Sequence, residues 1–217
     1  MARRPLRLRD SRSLGRRRPT RAVRQRFLLL CEGAVTEAGY FEDLRAELRT
    51  ALVDIEIAGE HGVPRSLVAA ASARLKAARR VAHRQEDDSL AYDQVWCVFD
   101  IDEHPDVAAA LDQARAHGIE LAISNPSFEL WALLHFRDHR AHLGRQQARS
   151  LLKSHLPAYD KALPAERLRP LYREARRRAR WLAENHERCG GEVTGNPSSS
   201  VWRLVDALRE AAELGAP

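Results

Sequence analysis

Phe27-Leu28-Leu29-Leu30-Cys31-Glu32-Gly33 is the stretch on which the fold turns. Its five apolar residues form a short continuous run with no polar face, stopped by a carboxylate and a glycine. Such a run reads as a strand buried on both faces, the kind found in parallel sheets. Val95-Trp96-Cys97-Val98-Phe99, led by Gln94, repeats the character and ends abruptly at Asp100. Val53 to Ala58 can form a strand between these two, and Leu121-Ala122-Ile123 a fourth after them.

Helical patterns separate the strands. Thr36 resembles an N-cap for a helix over Glu37 to Thr50, with Tyr40, Phe41, Leu44 and Leu48 on one face. Pro64 opens a helix running to about Arg84, and Glu86-Asp87-Asp88-Ser89 is a polar loop. Pro105 begins a helix that stops near Gly118. The alternation predicts an α/β fold with a mainly parallel sheet flanked by helices. Beyond Ser124-Asn125-Pro126 the pattern changes. Ser127 to Phe136 is apolar enough for a buried helix, and further helices are expected near Gly144–His155, Pro164–Arg188 and Ser198–Leu214. The last carries Val201, Leu204, Val205 and Leu208 at i, i+3, i+4, i+7 and follows Asn196-Pro197-Ser198, a candidate cap. The chain therefore divides into a basic arm (1–25) expected to be disordered in isolation, an α/β core (26–125), and an α-helical C-terminal extension (126–217) packed on that core.

With 217 residues, 44% of them hydrophobic, the chain can bury one sizeable core but is short for two. No apolar run approaches the roughly 20 residues needed to span a bilayer, and the basic N-terminus lacks the apolar stretch of a secretory signal. These features predict a cytoplasmic protein without a membrane partner. Cys31, Cys97 and Cys189 form no CxxC pair, which supports neither a zinc site nor a disulfide framework. The net charge of +6 is unevenly spread. Residues 1–26 hold eleven Arg and one Asp, so the remainder has 25 basic and 29 acidic residues. The basicity belongs mainly to the arm, which either contacts phosphates or reflects the Arg- and Ala-rich composition of a GC-rich genome.

The chemistry is carried by acids at strand ends. Glu32 follows the first strand, and Asp100 and Asp102 bracket the end of the third. In parallel α/β sheets ligands bind beyond the carboxyl ends of strands. If strands one and three are neighbours, the three carboxylates converge, and they repel one another unless a cation joins them. Mg²⁺ takes oxygen ligands and keeps several waters, so two or three carboxylates suffice. Gly33 allows a tight turn or a close approach after Glu32. The competing explanation is that these acids start turns and cap helices.

Cys31-Glu32-Gly33 with Thr36-Glu37 and Tyr40-Phe41-Glu42, then Val95-Trp96-Cys97-Val98-Phe99-Asp100-Ile101-Asp102-Glu103, then Ser124-Asn125-Pro126-Ser127-Phe128-Glu129-Leu130-Trp131 and Leu133-Leu134-His135-Phe136 resemble RloB-like proteins. These are Toprim-type components of bacterial anti-phage abortive-infection systems, a group that includes the AbiL system. The resemblance covers most of residues 24–214, including Tyr159, Lys161 and Asn196-Pro197-Ser198-Ser199. It implies a Toprim-like core in which Glu32, Asp100 and Asp102 hold Mg²⁺, or Mn²⁺ as a substitute, and in which Glu32 also serves as general acid or base. It further implies a nuclease acting on RNA or DNA beside an ATPase of the AAA or ABC type.

Several weaker candidates accompany this set. Glu129 is either an additional ligand or a helix N-terminal acid. Glu103 can reach the metal or remain a solvated loop acid, and Glu37 reads more readily as a first-turn helix acid than as a ligand. Lys161 can pair with a phosphate in the transition state or lie on the surface. Ser124 and Asn125 either bond substrate or form the turn before Pro126. His135 reads as a core histidine, Trp131 and Phe136 as core aromatics, and Arg173, Arg176, Arg177, Arg178 and Arg180 as a solvated face or a phosphate track. The expected chemistry is metal-dependent phosphodiester hydrolysis. Two alternatives are a non-catalytic nucleic-acid-binding or sensor subunit, and nucleotidyl transfer, which the lack of an evident template-handling domain disfavours.

Overall fold

The computed structural model describes residues 24–48, 53–101, 107–192 and 194–214. Asp102 and Glu103, and residues 1–23 of the basic arm, lie outside the described residues. The five described strands are β1 (Gln25–Cys31), β2 (Val53–Ala58), β3 (Gln94–Asp100), β4 (Glu120–Asn125) and β5 (Ser198–Ser199), in the order β2-β1-β3-β4-β5. The pairs β1–β2, β1–β3 and β3–β4 are parallel, and β4–β5 is antiparallel. The fold is thus α/β with a mainly parallel sheet, and β1 and β3 are neighbours with Cys31 opposite Val98.

Alternation within the buried strands builds two cores. Phe27, Leu29 and Cys31 of β1 and Trp96 and Val98 of β3 face one side, where Phe41 and Leu44 of α1 (Thr36–Leu48) cover them. Leu28, Leu30, Val95, Cys97 and Phe99 face the other, under α2 (Pro64–Gln85) and α3 (Val107–His117). Each fully buried large apolar side chain contributes about 1.5–3 kcal/mol, so both runs are held by burial rather than by strand propensity alone. Gly118, at φ +64°, closes α3 in the left-handed conformation that glycine tolerates.

The first core continues without a break into the C-terminal helices α4 (Phe128–Phe136), α5 (Arg145–His155), α7 (Tyr172–Arg188) and α8 (Val201–Leu214). Trp131, Leu133 and Leu134 are completely buried there, together with Leu204, Val205 and Leu208. Since α4 is apolar around almost its whole circumference, it is enclosed on every side.

Three local expectations change. The helix expected over Pro164–Arg188 is interrupted: α6 (Ala165–Leu168) leads into a 3-10 turn at Arg169–Leu171 before α7 begins. Pro170 has no N–H to donate and its ring crowds the preceding turn, and Leu171 sits at φ −99° and ψ 4°. Ser198 does not cap the last helix. Ser198 and Ser199 pair instead with Asn125 and Ser124 as the edge strand β5. Thr36 is the first residue of α1 rather than its cap, and its side chain meets the Tyr159 hydroxyl.

Candidate metal centre

The strand order places a topological switch at β1 and β3. From β1 the chain crosses to one face of the sheet through α1, and from β3 to the other face through α3. The crevice between the carboxyl ends of two such strands is where open α/β sheets bind ligands, and Glu32 and Asp100 stand in it.

The two acids are bound into the sheet itself. The Glu32 N–H donates to Val98 O at 2.9 Å, extending the β1–β3 ladder one residue past β1. Glu32 Oε2 then accepts the Asp100 N–H at 3.0 Å, a side chain replacing the carbonyl that would form the next rung. Ile101 N–H donates to Ser124 O at 3.0 Å and fixes the other edge. His61, from the loop after β2, donates through Nδ1 to the Cys31 carbonyl at 2.9 Å, so an exposed imidazole stands at the mouth of the crevice.

Asp100 shares strand parity with Trp96 and Val98, so it points to the face covered by α1 and the C-terminal helices. Only 5% of it is exposed. Its Oδ1 accepts no hydrogen bond among the described residues, although it is buried. Its Oδ2 lies 3.5 Å from Arg145 Nη2, at the start of α5. Burial, then the charge of Glu37, raises the Asp100 carboxyl well above the ordinary aspartate value, against the pull of Arg145. Glu32 and Glu129 act in the same direction as Glu37.

Glu37, which the sequence favours as a first-turn helix acid, is buried in this cluster on the first turn of α1. Burial raises its carboxyl, and the charges of Glu32 and Glu129 add to that. Gly33 makes room for it, because a Cβ at position 33 would collide with Glu37 Oε2. The close spacing of Glu32, Gly33 and Glu37 is the sequence signal, but first-turn acids are too common for it to single one out. Arg145 carries no signal at all in a chain where arginine is abundant.

Glu129 is held from both sides. Ser127 Oγ donates to its Oε2 at 2.7 Å and the Tyr159 hydroxyl to its Oε1 at 3.1 Å. Lys161 sits two residues after Tyr159, exposed, at φ +68°, and pairs with no acid among the described residues. Asp102 and Glu103 fall outside the described residues. Four carboxylates, Glu32, Glu37, Asp100 and Glu129, thus act on one another around Arg145. Among the described residues no three His, Cys, Asp or Glu side chains stand in a closed ligand arrangement. The donor set nevertheless fits a hard divalent cation: it is all oxygen, it carries excess negative charge, and one buried carboxylate oxygen lacks a partner among the described residues.

The remaining candidates make contacts within the protein. Ser124 Oγ lies 3.2 Å from Ser199 Oγ within the β4–β5 pair. Asn125 Nδ2 donates to Thr194 O, while its Oδ1 accepts from Asn196 Nδ2. The peptide bonds Asn125–Pro126 and Asn196–Pro197 are cis. Buried His135 Nδ1 donates to Trp131 O at 3.0 Å, and burial pushes its pKa down to about 4. Trp131 is core, and Phe136, partly buried, stacks on His155. In the arginine cluster, Arg176 pairs with Asp206, Arg177 with Glu174, and Arg180 with Glu184. Arg178 pairs with Asp138 and donates to the last α4 carbonyls, Leu134 O and His135 O. Arg176 and Arg178 thus tie α7 to α8 and α4, whereas the Arg177 and Arg180 pairs lie exposed within α7. Cys31 and Cys97 are buried thiols whose pKa burial raises, that of Cys97 to about 12.

No helix among the described residues is long and apolar enough to cross a membrane. No curated protein and no solved structure matches the chain. The family described as RloB-like protein matches over residues 27–208, from the first strand into the last helix. The chain belongs to the RloB-like family.

Proposed function

We propose that this chain is a metal-dependent phosphodiesterase, a nuclease acting on RNA or DNA. The observation that carries the reading is the buried Oδ1 of Asp100, without a hydrogen-bond partner among the described residues and set among like charges at the switch point of the sheet. Asp100 and Glu32, with Asp102 two residues after Asp100, would hold Mg²⁺ or Mn²⁺, and Glu103 follows Asp102 as a further candidate ligand. When bound, the ion supplies a Lewis acid for a phosphate oxygen and neutralises charge at the leaving oxygen. Glu32 accepts a proton from the attacking water. Glu129, fixed by Ser127 and Tyr159, adds negative charge on the side of the C-terminal helices. Lys161 stands on the same loop as Tyr159 and holds a phosphate of the strand.

The chain's resemblance to components of abortive-infection systems leads us to place it in anti-phage defence beside an ATPase of the AAA or ABC type. The test combines the chain, the ATPase and labelled RNA and DNA in Mg²⁺. Cleavage by the native protein should fall about a hundredfold or more in a folded Asp100→Asn variant, the scale of losing a group that stabilises charge in the transition state. Undiminished cleavage by that variant would remove Asp100 from the chemistry. A second reading is favoured by the Arg145–Asp100 pair, which neutralises part of the cluster from within. In it the chain is a non-catalytic nucleic-acid-binding or sensor subunit, recognised by binding without turnover even when the ATPase is present.

A further inference from the structure

The Arg145–Asp100 pair has the geometry of a replaceable contact. At 3.5 Å it is longer than a charge-assisted hydrogen bond of about 2.7–2.9 Å. Asp100 is fixed in β3 and its side chain is 7% exposed, whereas the Arg145 side chain is 36% exposed and borders solvent. Arg145 is also misplaced for its own helix. It is the first residue of an 11-residue helix whose Gly144 cap makes no side-chain hydrogen bond. A cation at that end opposes the helix dipole. Its position is favoured by the acids in front of it, since both Asp100 and Glu37 feel its charge directly.

We propose that Arg145 is a resident cation of the acidic site, which a divalent metal ion must displace from Asp100. It lowers the repulsion among Glu32, Glu37, Asp100 and Glu129 while no ion is bound, and so sets the metal concentration at which the site fills. This inference rests on the metal-site reading above and concerns the regulation of that site. Displacement is electrostatically reasonable because a doubly charged ion at a carboxylate outcompetes a single charge held at 3.5 Å. Glutamine at position 145 removes the competing charge, while lysine retains it.

The experiment is a calorimetric titration of Mn²⁺ into the full chain, with Arg145→Gln and Arg145→Lys alongside. Thermal unfolding of each is followed in chelator and in Mn²⁺. Arg145→Gln should bind Mn²⁺ about tenfold or more tightly than the native chain, and Arg145→Lys within about threefold of it, as removal or retention of one nearby charge implies. In chelator Arg145→Gln should unfold at a lower temperature than the native chain, and Mn²⁺ should close that gap. Binding by the native chain with equal or weaker binding by Arg145→Gln would overturn the resident-cation role and leave the metal site standing. Absence of binding in all three proteins would remove the metal site and this inference with it. Binding by Arg145→Gln alone would support the inference in its strongest form.

Discussion

Replacing Asp100 with asparagine should stabilise the metal-free protein at neutral and alkaline pH while destroying the site. The carboxyl is nearly excluded from water, and burial and Glu37 hold its pKa well above the ordinary aspartate value of 3.8. In the unfolded chain it titrates normally. Between the two values the native state binds the extra proton, so stability declines as pH rises. The contribution is fully present below the unfolded value and is lost as pH passes through the folded one. The asparagine amide cannot ionise, so the variant avoids that loss. It also gives up the attraction to Arg145, but the raised pKa shows that desolvation and carboxylate repulsion outweigh that attraction. An uncompensated buried polar group costs about 1–3 kcal/mol. For a chain of this size each kcal/mol moves Tm by about 2–4 °C. Thermal unfolding in chelator at about pH 8 should therefore show Asp100→Asn about 2–12 °C above the native chain, with the difference shrinking toward about pH 4. Addition of Mn²⁺ should reverse the order. An ion at about a thousand times its Kd stabilises its site by about 4.1 kcal/mol, more than the whole gap, and only the native chain gains it. A variant less stable at alkaline pH in chelator would refute the reasoning, because Asp100 would then be a net structural ion-pair partner.

Three further substitutions probe the supports of the site. Gly33→Ala should push the Glu37 carboxylate aside, with little loss of stability because the far end of a side chain gives way, and weaken Mn²⁺ binding; unchanged calorimetry would show that Glu37 has no part in holding the ion. Tyr159→Phe deletes the hydrogen bond to Glu129 and should cost about 1 kcal/mol, with a larger proportional loss in cleavage than in stability. A rate equal to the native rate would take Glu129 positioning out of the reaction. Arg178→Gln leaves the Leu134 and His135 carbonyls without their donor and should cost about 2 kcal/mol. Its nucleic-acid affinity, read by fluorescence anisotropy at fixed salt, should equal that of the native chain, whereas a weaker complex would make the arginine cluster a phosphate track.

Legibility follows the physical scale of each signal. β1 and β3 are readable because an apolar run closed by an acid has few explanations other than a doubly covered strand. Their adjacency is not, since nothing in Leu28 or Cys97 names the strand beside it. The register that brings Glu32 to the Asp100 N–H is a tertiary result. Glu37 is easy to discount because a first-turn acid has a cheap local explanation that its burial overrides. Arg145 reaches Asp100 only through the packing of α5. Ser198 reads as a cap because Asn-Pro-Ser suits one, and the two-residue strand it joins is too short to show a period. Lys161 is conspicuous by its rarity, yet it lies exposed at a left-handed position and pairs with no acid among the described residues.

The antiparallel partner of β4 arrives 73 residues after it, counting from Asn125 to Ser198. That interval makes the protein a late assembler. On the ribosome the apolar surface of α4, with Trp131 and Leu133, emerges long before Leu204, Val205 and Leu208 are there to cover it. Closure of long sequence separations is slow, and nascent chains stalled within the interval keep an open sheet edge and a bare helix. Such chains are natural substrates for chaperones and proteases. A chain cut short before Ser198 therefore lacks both the strand that closes this edge and the helix that covers α4, so the fold is complete only once its last elements have emerged.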